Sequence, residues 1–347
     1  MIKNVIVFFT IVCAFFSCNG LGSQKTRNYN LKVQPQKKEY HLNDTVQLSV
    51  SDNDFGEAVA SVSYKINGEE LTSMEGSYLL KNIKLGKQII EIEVATESGK
   101  EYTFQKELTI LADKAPKLYT YRIINQYDHD KTAYTQGLEF VGDTLIESTG
   151  QYGKSTLRKW NVFTGQEYKK INLASQYFGE GVTVFDNKIL QLTWQENLGV
   201  VYDLDLNQQQ TFAYGKSKEG WGLCYDGKKI YKSDGTEKIW ILNPNTYQEE
   251  DFIQISTDKS LFSNANELEW VNGKIYANTY QKDGIMIINP QNGAIEGIVD
   301  MRGLKEKVEQ IPELDVLNGI AYHHNRKTFF ITGKNWNKIF EVVFEKK

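Results

Sequence analysis

The chain has 347 residues, of which 40% are hydrophobic and 24% charged, with 40 basic against 44 acidic side chains and a formal net charge of −4. That length fits two folded domains better than one, and without a basic excess to neutralise phosphates the chain is not expected to take nucleic acid as a partner. Only five prolines, beside 20 tyrosines and 17 phenylalanines, point to β-structure.

The N-terminus reads as a targeting segment over 1–18. Lys3 supplies a positive start, and the apolar run Val5 to Phe16 is too short to span a bilayer comfortably. The run ends in Phe15-Phe16-Ser17-Cys18, which resembles the bacterial lipobox, so Cys18 is the expected lipidation site. The protein is therefore expected to be exported and held at a membrane through its lipid anchor only, on the outer membrane facing the periplasm. The other cysteines are Cys13 and Cys224. No disulfide framework is possible in the folded part, and Cys224, in an apolar run, reads as a small core residue.

Residues 19–30 are small and polar, as a tether would be. From 31 to 113 short alternating strands predominate: Thr45 to Val50, Ala60 to Tyr64 and Ile89 to Val94, with an Asn67-Gly68 hairpin signal. This segment is predicted to be a small immunoglobulin-like β-sandwich without chemistry of its own. A linker around Pro116 follows.

Residues 118–347 repeat themselves five times. Each repeat gives an apolar strand, a tight polar turn and a second strand, beginning at Gln136, Glu180, Trp221, Asn266 and Asn318. A third strand and a turn-type pair such as Thr164-Gly165, Pro244-Asn245 or Asn292-Gly293 come next, then room for a fourth strand. Four strands per 40 to 50 residues is the pattern of propeller blades, so an all-β, five-bladed β-propeller is predicted. The last repeat stops after its third strand, and Tyr119 to Gln126 can supply the missing outer one.

In such a blade the start of the first strand lies beside the end of the second, on one face near the axis. The first-strand starts bring Gln136, Glu180, Trp221, Asn266 and Asn318 to that face, and the second-strand ends bring Gly150, Trp194, Gly235, Tyr280 and Lys334. Taken singly, each polar group suits an ordinary rim ion pair or a turn cap. Together, an asymmetric set on a repeated scaffold points to a site. Phe178, Trp194, Trp221 and Tyr280 would wall a small pocket suited to an amine or amide head group. Desolvation would make Glu180 a usable general base and acid, while amides and Lys334 could stabilise charge on a carbonyl oxygen. No spacing suggests a catalytic metal or a cofactor, and none is expected.

The stretches Tyr134-Thr-Gln-Gly-Leu138, Glu147-Ser-Thr-Gly150, Tyr177-Phe-Gly-Glu-Gly181, Asp234-Gly235, Asn266-Glu-Leu-Glu269, Asp315-Val-Leu-Asn-Gly319 and Thr332-Gly-Lys334 resemble those of the plant-type and bacterial glutaminyl cyclotransferases, from about residue 118 onward. The resemblance implies a five-bladed propeller enzyme that converts N-terminal glutamine of peptides or proteins to pyroglutamate, releasing ammonia. By the same resemblance Glu180 matches the catalytic acid/base. Asn266 and Lys334 match groups that orient the substrate and stabilise the tetrahedral intermediate. Gln136, Phe178, Trp194 and Trp221 match the substrate pocket, and Asn318, from its ring position, joins them as a substrate-binding candidate. Tyr280 stands where the plant enzymes carry tryptophan. Two other readings compete. A non-catalytic propeller binding peptides or glycans would keep the aromatics without needing Glu180. A lactonase-like propeller would ring a metal with carboxylates, of which the strand starts offer only Glu180.

Overall fold

Asn67 and Gly68 both adopt positive φ, 52° and 80°, and reverse the strand Val59–Ile66 into Glu69–Glu70; this is the mirror-image turn whose twist matches that of a hairpin. The computed structural model describes residues 29–52 and 56–347, and the targeting segment with Cys18 lies outside them. Two sheets occupy the region before Pro116. One has the order Tyr29–Gln34, Thr45–Asp52, Ser77–Leu79, Ser73–Met74, and the other Tyr40–His41, Glu101–Leu111, Gly86–Thr96, Val59–Ile66, Glu69–Glu70. Gly86–Thr96 alternates buried and more exposed residues along its length, so each sheet turns one face inward. The shared core includes Tyr29, Leu80, Ile90, Ile92 and Ile110.

These sheets dock on the outer edge of the propeller. The Lys87 N–H donates to Gln254 Oε1 at 2.8 Å and the Leu85 N–H to the Asn292 carbonyl at 2.9 Å. Lys84 pairs with Asp251. Gly86, at φ 94°, leaves no room for a Cβ beside the Gln254 side chain, so the close approach requires glycine there.

Blades 1 to 3 are separate four-stranded antiparallel sheets, and blades 4 and 5 are joined in one eight-stranded sheet. Blade 1 runs Thr135–Val141, Thr144–Thr149, Thr156–Trp160 and Glu167–Asn172; blade 2 runs Gly179–Phe185, Lys188–Thr193, Leu198–Asp203 and Gln208–Ala213. Blade 3 runs Leu223–Tyr225, Ile230–Ser233, Lys238–Leu242 and Glu249–Gln254; blade 4 runs Ala265–Val271, Lys274–Thr279, Gly284–Ile288 and Ile295–Asp300. Blade 5 takes Leu317–His323, Thr328–Gly333 and Lys338–Lys346 from the C-terminal end, and its outer strand, Lys117–Asp128, from before blade 1. This closure protects an edge that would otherwise expose unpaired backbone groups. Lys117 to Tyr119 also pair in parallel with Gly297 to Val299, joining blades 4 and 5.

The first strands crowd the axis, and this explains the glycine that follows four of the five site positions, all but Asn266. A Cβ on Gly181 would lie 2.6 Å from Gly222 Cα and from the Trp221 carbonyl oxygen, and one on Gly222 would strike the Asn266 carbonyl. Neighbouring blades instead touch backbone to backbone, with the Gly181 N–H donating to the Trp221 carbonyl at 2.6 Å. Buried carboxylates brace the same strands. Glu267 accepts the Ile320 N–H and Glu269 the Tyr322 N–H, both at 2.8 Å, and Glu139 accepts the Val184 N–H at 3.1 Å. The acidic residues of the Asn266–Glu269 stretch therefore serve the ring rather than the pocket. Cys224 is buried in the core of blades 3 and 4, and burial pushes its thiol well up.

Candidate active site

Four of the five first strands carry a bulge at the position singled out by the repeats. The register with the second strand shifts between Thr135 and Gly137, Gly179 and Val182, Ala265 and Leu268, and Leu317 and Ile320. Gln136, Glu180, Asn266 and Asn318 lie within these irregularities. A bulge frees a residue from the ladder and re-aims its side chain, so polar groups can leave the strand toward the mouth of the channel. Their backbones are tied across blades: Ser148 Oγ donates to the Glu180 carbonyl, and Ser233 Oγ to the Asn266 carbonyl at 2.6 Å. In blade 3 the strand begins only at Leu223, and Trp221 is held through its N–H on the Ser233 carbonyl.

The bulges also move the second-strand ends two residues along their partners. The Trp194 N–H meets the Phe178 carbonyl, the Gly150 N–H that of Tyr134, and the Tyr280 N–H that of Asn264. Phe178 and Trp194 thus face the cavity side by side. Gly150 and Gly235 contribute space instead of side chains. A Cβ on Gly150 would strike the Phe178 ring, and one on Gly235 would lie 2.5 Å from the Trp221 indole.

The result is a cavity of about 260 Å³ lined by eight of the nine substrate and catalytic candidates, together with Tyr134. Its wall forms a ring. Tyr134 meets Phe178 at 6.2 Å between centroids, Phe178 meets Trp194 at 5.5 Å, and Trp221 meets Tyr280 at 5.3 Å, all edge to face. Two charged groups close the gaps. Lys334 Nζ lies 4.7 Å from the Tyr134 ring centre and 5.3 Å from that of Tyr280, and Glu219 bridges the two indoles. The volume falls below the roughly 300–1,000 Å³ of sites for drug-sized ligands, so the cavity suits a small head group.

Asn318 stands behind the wall. Its amide donates to the Thr135 carbonyl at 3.0 Å and to Gln136 Oε1 at 3.2 Å, and Gln136 Nε2 donates to Glu180 Oε1 at 2.9 Å. Asn318 thereby fixes which end of the Gln136 amide faces Glu180, and among the described residues the second Glu180 oxygen has no hydrogen-bond donor, which leaves it for a ligand. The Asn266 carboxamide has no side-chain hydrogen bond among the described residues and faces the cavity.

Burial raises the Glu180 carboxyl well above the ordinary range; the positive charge of Lys334 opposes this, and Glu219 and Glu196 reinforce it. Burial also lowers the Lys334 ammonium, against the pull of Glu180 and Asp315. No carboxylate lies within 4 Å of Lys334 Nζ among the described residues, so this cation is balanced by aromatic faces and more distant charges. A buried acid with a raised pKa beside a buried cation can pass a proton while the cation meets a developing oxyanion.

The sequence patterns single out neither Tyr134 nor Glu219 of the site, and of the two only Tyr134 stands in one of the family-like stretches. Tyr134 lines the pocket, and its hydroxyl donates to Asp315 Oδ2 at 2.7 Å. The bulge places Tyr134 opposite Gly150, and nothing in the repeat pattern marks that bulge. Glu219 lies two residues before Trp221 in a segment without strand pattern, and no periodicity marks it. His129 is buried against Glu147 and the Trp336 carbonyl. Among the described residues no group of three or more His, Cys, Asp or Glu side chains could hold a metal ion.

Tyr280 touches both Trp221 and Lys334, so an indole at this position would change the wall and the seat of the cation together. Tyr280→Trp is expected to change KM for a peptide with N-terminal glutamine by about two- to tenfold, the scale of one aromatic contact. Steady-state kinetics check this, and unchanged constants for every peptide tried would refute it.

The glutamine cyclotransferase family profile matches residues 86–344, which adds Gly86–Thr96 and Glu101–Leu111 of the N-terminal sheets to the propeller. A glutaminyl-peptide cyclotransferase of Arabidopsis thaliana is 36% identical over 236 residues, 66% of this chain and 73% of that protein. The crystal structure of the glutaminyl cyclase of Myxococcus xanthus superposes with a TM-score of 0.62 at 32% identity, covering 67% of this chain and 99% of that one. With the propeller, the pocket and three independent likenesses in agreement, the chain belongs to the glutamine cyclotransferase family.

Proposed function

We propose that the protein is a glutaminyl-peptide cyclotransferase acting on peptides or proteins with N-terminal glutamine. The observation that carries this reading is the raised Glu180 carboxyl inside a small aromatic ring that Lys334 helps to close. The glutamine side chain enters the cavity with its carboxamide toward Asn266 and Lys334. Glu180, ionised, takes a proton from the α-amine as that nitrogen attacks the side-chain carbonyl carbon. The new C–N bond leaves an oxyanion, which the Lys334 ammonium and the Asn266 N–H groups stabilise. Glu180 then returns the proton to the carboxamide nitrogen, that C–N bond breaks, and ammonia leaves a five-membered lactam. Gln136 holds the base in place, and the aromatic wall excludes water from it.

We further propose that the protein acts outside the cytoplasm. Lys3, the apolar run and the Ser17-Cys18 junction support a lipid anchor at Cys18 on the outer membrane, with the enzyme facing the periplasm. Among the described residues no helix is long and apolar enough to cross a membrane.

The test is to incubate the purified chain with a peptide bearing N-terminal glutamine, with and without a chelator, and to follow ammonia release with the matching mass loss. Activity indifferent to chelator is expected. A folded protein inactive on several such peptides would overturn the cyclotransferase reading, and activity abolished by chelator would overturn the metal-free mechanism.

A further inference from the structure

The aromatic ring has a gap between Trp194 and Trp221, and a single carboxylate fills it. Glu219 Oε2 accepts the indole N–H of Trp194 and that of Trp221, each at 2.8 Å, while Oε1 accepts from Gln195 Nε2 at 3.0 Å. An indole nitrogen can only donate, so one acceptor shared by both rings fixes each about its side-chain torsions. Trp194 belongs to the end of a blade 2 strand and Trp221 to the entry of blade 3, so the carboxylate also ties two blades together at the pocket.

The segment that presents Glu219 is itself anchored from below. Lys232, fully buried, donates to the Glu219 carbonyl at 2.8 Å and to Ser217 Oγ at 2.5 Å, and its ammonium sits 4.2 Å from the Tyr214 ring centre. Glu249 accepts the N–H groups of Lys216 and Ser217 at 2.6 and 3.0 Å and pairs with Lys232 at 3.4 Å. A buried ion pair that spends its hydrogen bonds on one short segment holds that segment in a single geometry.

Resting on the cyclotransferase reading, we propose that Glu219 is a positioning residue for this reaction: it locks the two pocket indoles and sets the negative potential felt by Glu180. The charged groups acting on Glu180 come from several blades. Lys334 favours its ionised form, and Glu219 and Glu196 oppose it; the hydroxyls of Tyr134, Tyr152 and Tyr214 complete its titratable surroundings. Around Glu219 the charged groups are Glu180, Glu196, Lys216, Lys218, Lys232 and Glu249, with Asp234, Glu237 and Lys238 along the same cleft; Lys232 reaches its carbonyl and not its carboxylate. Burial raises the Glu219 carboxyl, but hydrogen bonds from Trp221, Gln195 and Trp194 outweigh it and leave the group lowered. It is therefore ionised wherever Glu180 titrates. Removing its charge takes a like charge from beside Glu180, so the Glu180 pKa falls.

The test compares Glu219→Gln and Glu219→Ala with the parent in the full chain, measuring kcat and KM across pH on a peptide with N-terminal glutamine. Glu219→Gln keeps an acceptor of the same shape and loses the charge. Its acid limb in kcat is expected to move to lower pH, with KM within about threefold of the parent. Glu219→Ala also frees both indoles and is expected to lose about ten- to a hundredfold in kcat/KM, the scale of a small misplacement in a site. A merely structural glutamate would lower the melting temperature without moving the acid limb. An unmoved acid limb in Glu219→Gln, with the parent active, overturns the inference alone. An inactive parent overturns the cyclotransferase reading, and the inference falls with it.

Discussion

The Glu180→Gln protein is expected to lose about 10²- to 10⁴-fold in kcat while keeping its fold, the range that removal of a general acid/base commands. Glutamine fills the same space, and its carbonyl can still accept the Gln136 N–H bond now made at 2.9 Å. The cross-blade bond to the Glu180 carbonyl from Ser148 is a backbone matter and survives as well. What disappears is the ability to take a proton from the amine and give one to departing ammonia. The substitution also removes the stronger of the two counter-charges acting on Lys334, Glu180 and Asp315. The mutant therefore keeps the oxyanion donors and the aromatic wall, and some residual rate is expected from those. The pH profile makes the test sharper. Because burial raises the Glu180 carboxyl, the acid limb of kcat in the parent lies well above the pH at which an ordinary glutamate ionises, about 4.3, and activity rises with pH through it. That limb is expected to vanish from the residual activity of Glu180→Gln. Equal kcat in mutant and parent, measured by ammonia release, would remove Glu180 from its role.

The second large effect falls on stability. Glu147, in the second strand of blade 1, is fully buried, and five donor groups from four residues meet its carboxylate. Arg158 donates to it from Nε at 2.8 Å and from NH2 at 2.6 Å, Trp160 Nε1 at 3.1 Å and Thr135 Oγ1 at 2.8 Å, with His129 Nε2 at 3.0 Å. His129 follows the strand that closes the ring, and its other ring nitrogen meets the Trp336 carbonyl at 2.8 Å. The cluster therefore ties blade 1 to blade 5, where the circle is sealed. Glu147→Gln removes the buried carboxylate from Arg158 and leaves its guanidinium with the partly exposed Asp130, 3.2 Å from NH1; the cost expected for breaking such a buried pair is about 3–5 kcal/mol. Denaturant unfolding monitored by tryptophan fluorescence reads this, and a loss under about 1 kcal/mol would sink the argument. Burial alone would raise the Glu147 carboxyl, but the charges of Arg158 and His129 with their hydrogen bonds outweigh it and hold the group well below the ordinary range. Its folded pKa is depressed, so its contribution is complete above the unfolded value of about 4.3 and is lost progressively as pH falls below about 5. The parent is thus expected to lose stability on acidification through that window, and Glu147→Gln to show a smaller dependence.

Much of the molecule was legible from one dimension. A repeat of strand, tight turn, strand and strand can bury its apolar faces only against copies of itself, so five units dictate a ring. The strand missing from the last unit had one place to come from, and Lys117–Asp128 supplies it. A glycine follows four of the five site positions, and at Gly181 and Gly222 it records a backbone contact at the axis. The aligned starts and ends of the hairpins then named Glu180, Asn266, Lys334, Trp194, Trp221 and Tyr280, since residues at equal places in equal blades must share a face.

What only the tertiary structure decided lies where the repeat is broken. The bulges shift Trp194 opposite Phe178 and Gly150 opposite Tyr134, bring Tyr134 into the pocket and leave Asn318 behind it, because one extra residue in a strand reverses which side a chain presents. Glu219 carries no pattern at all: its place between two indoles depends on a segment anchored by Lys232 and Glu249, 13 and 30 residues further along the chain. Glu267 and Glu180 have the same side chain and both sit in bulges, yet one caps the Ile320 N–H and the other faces the cavity. Local sequence specifies a carboxylate at each position, but its charge state and its partner are set by what the neighbouring blades bring to it through space.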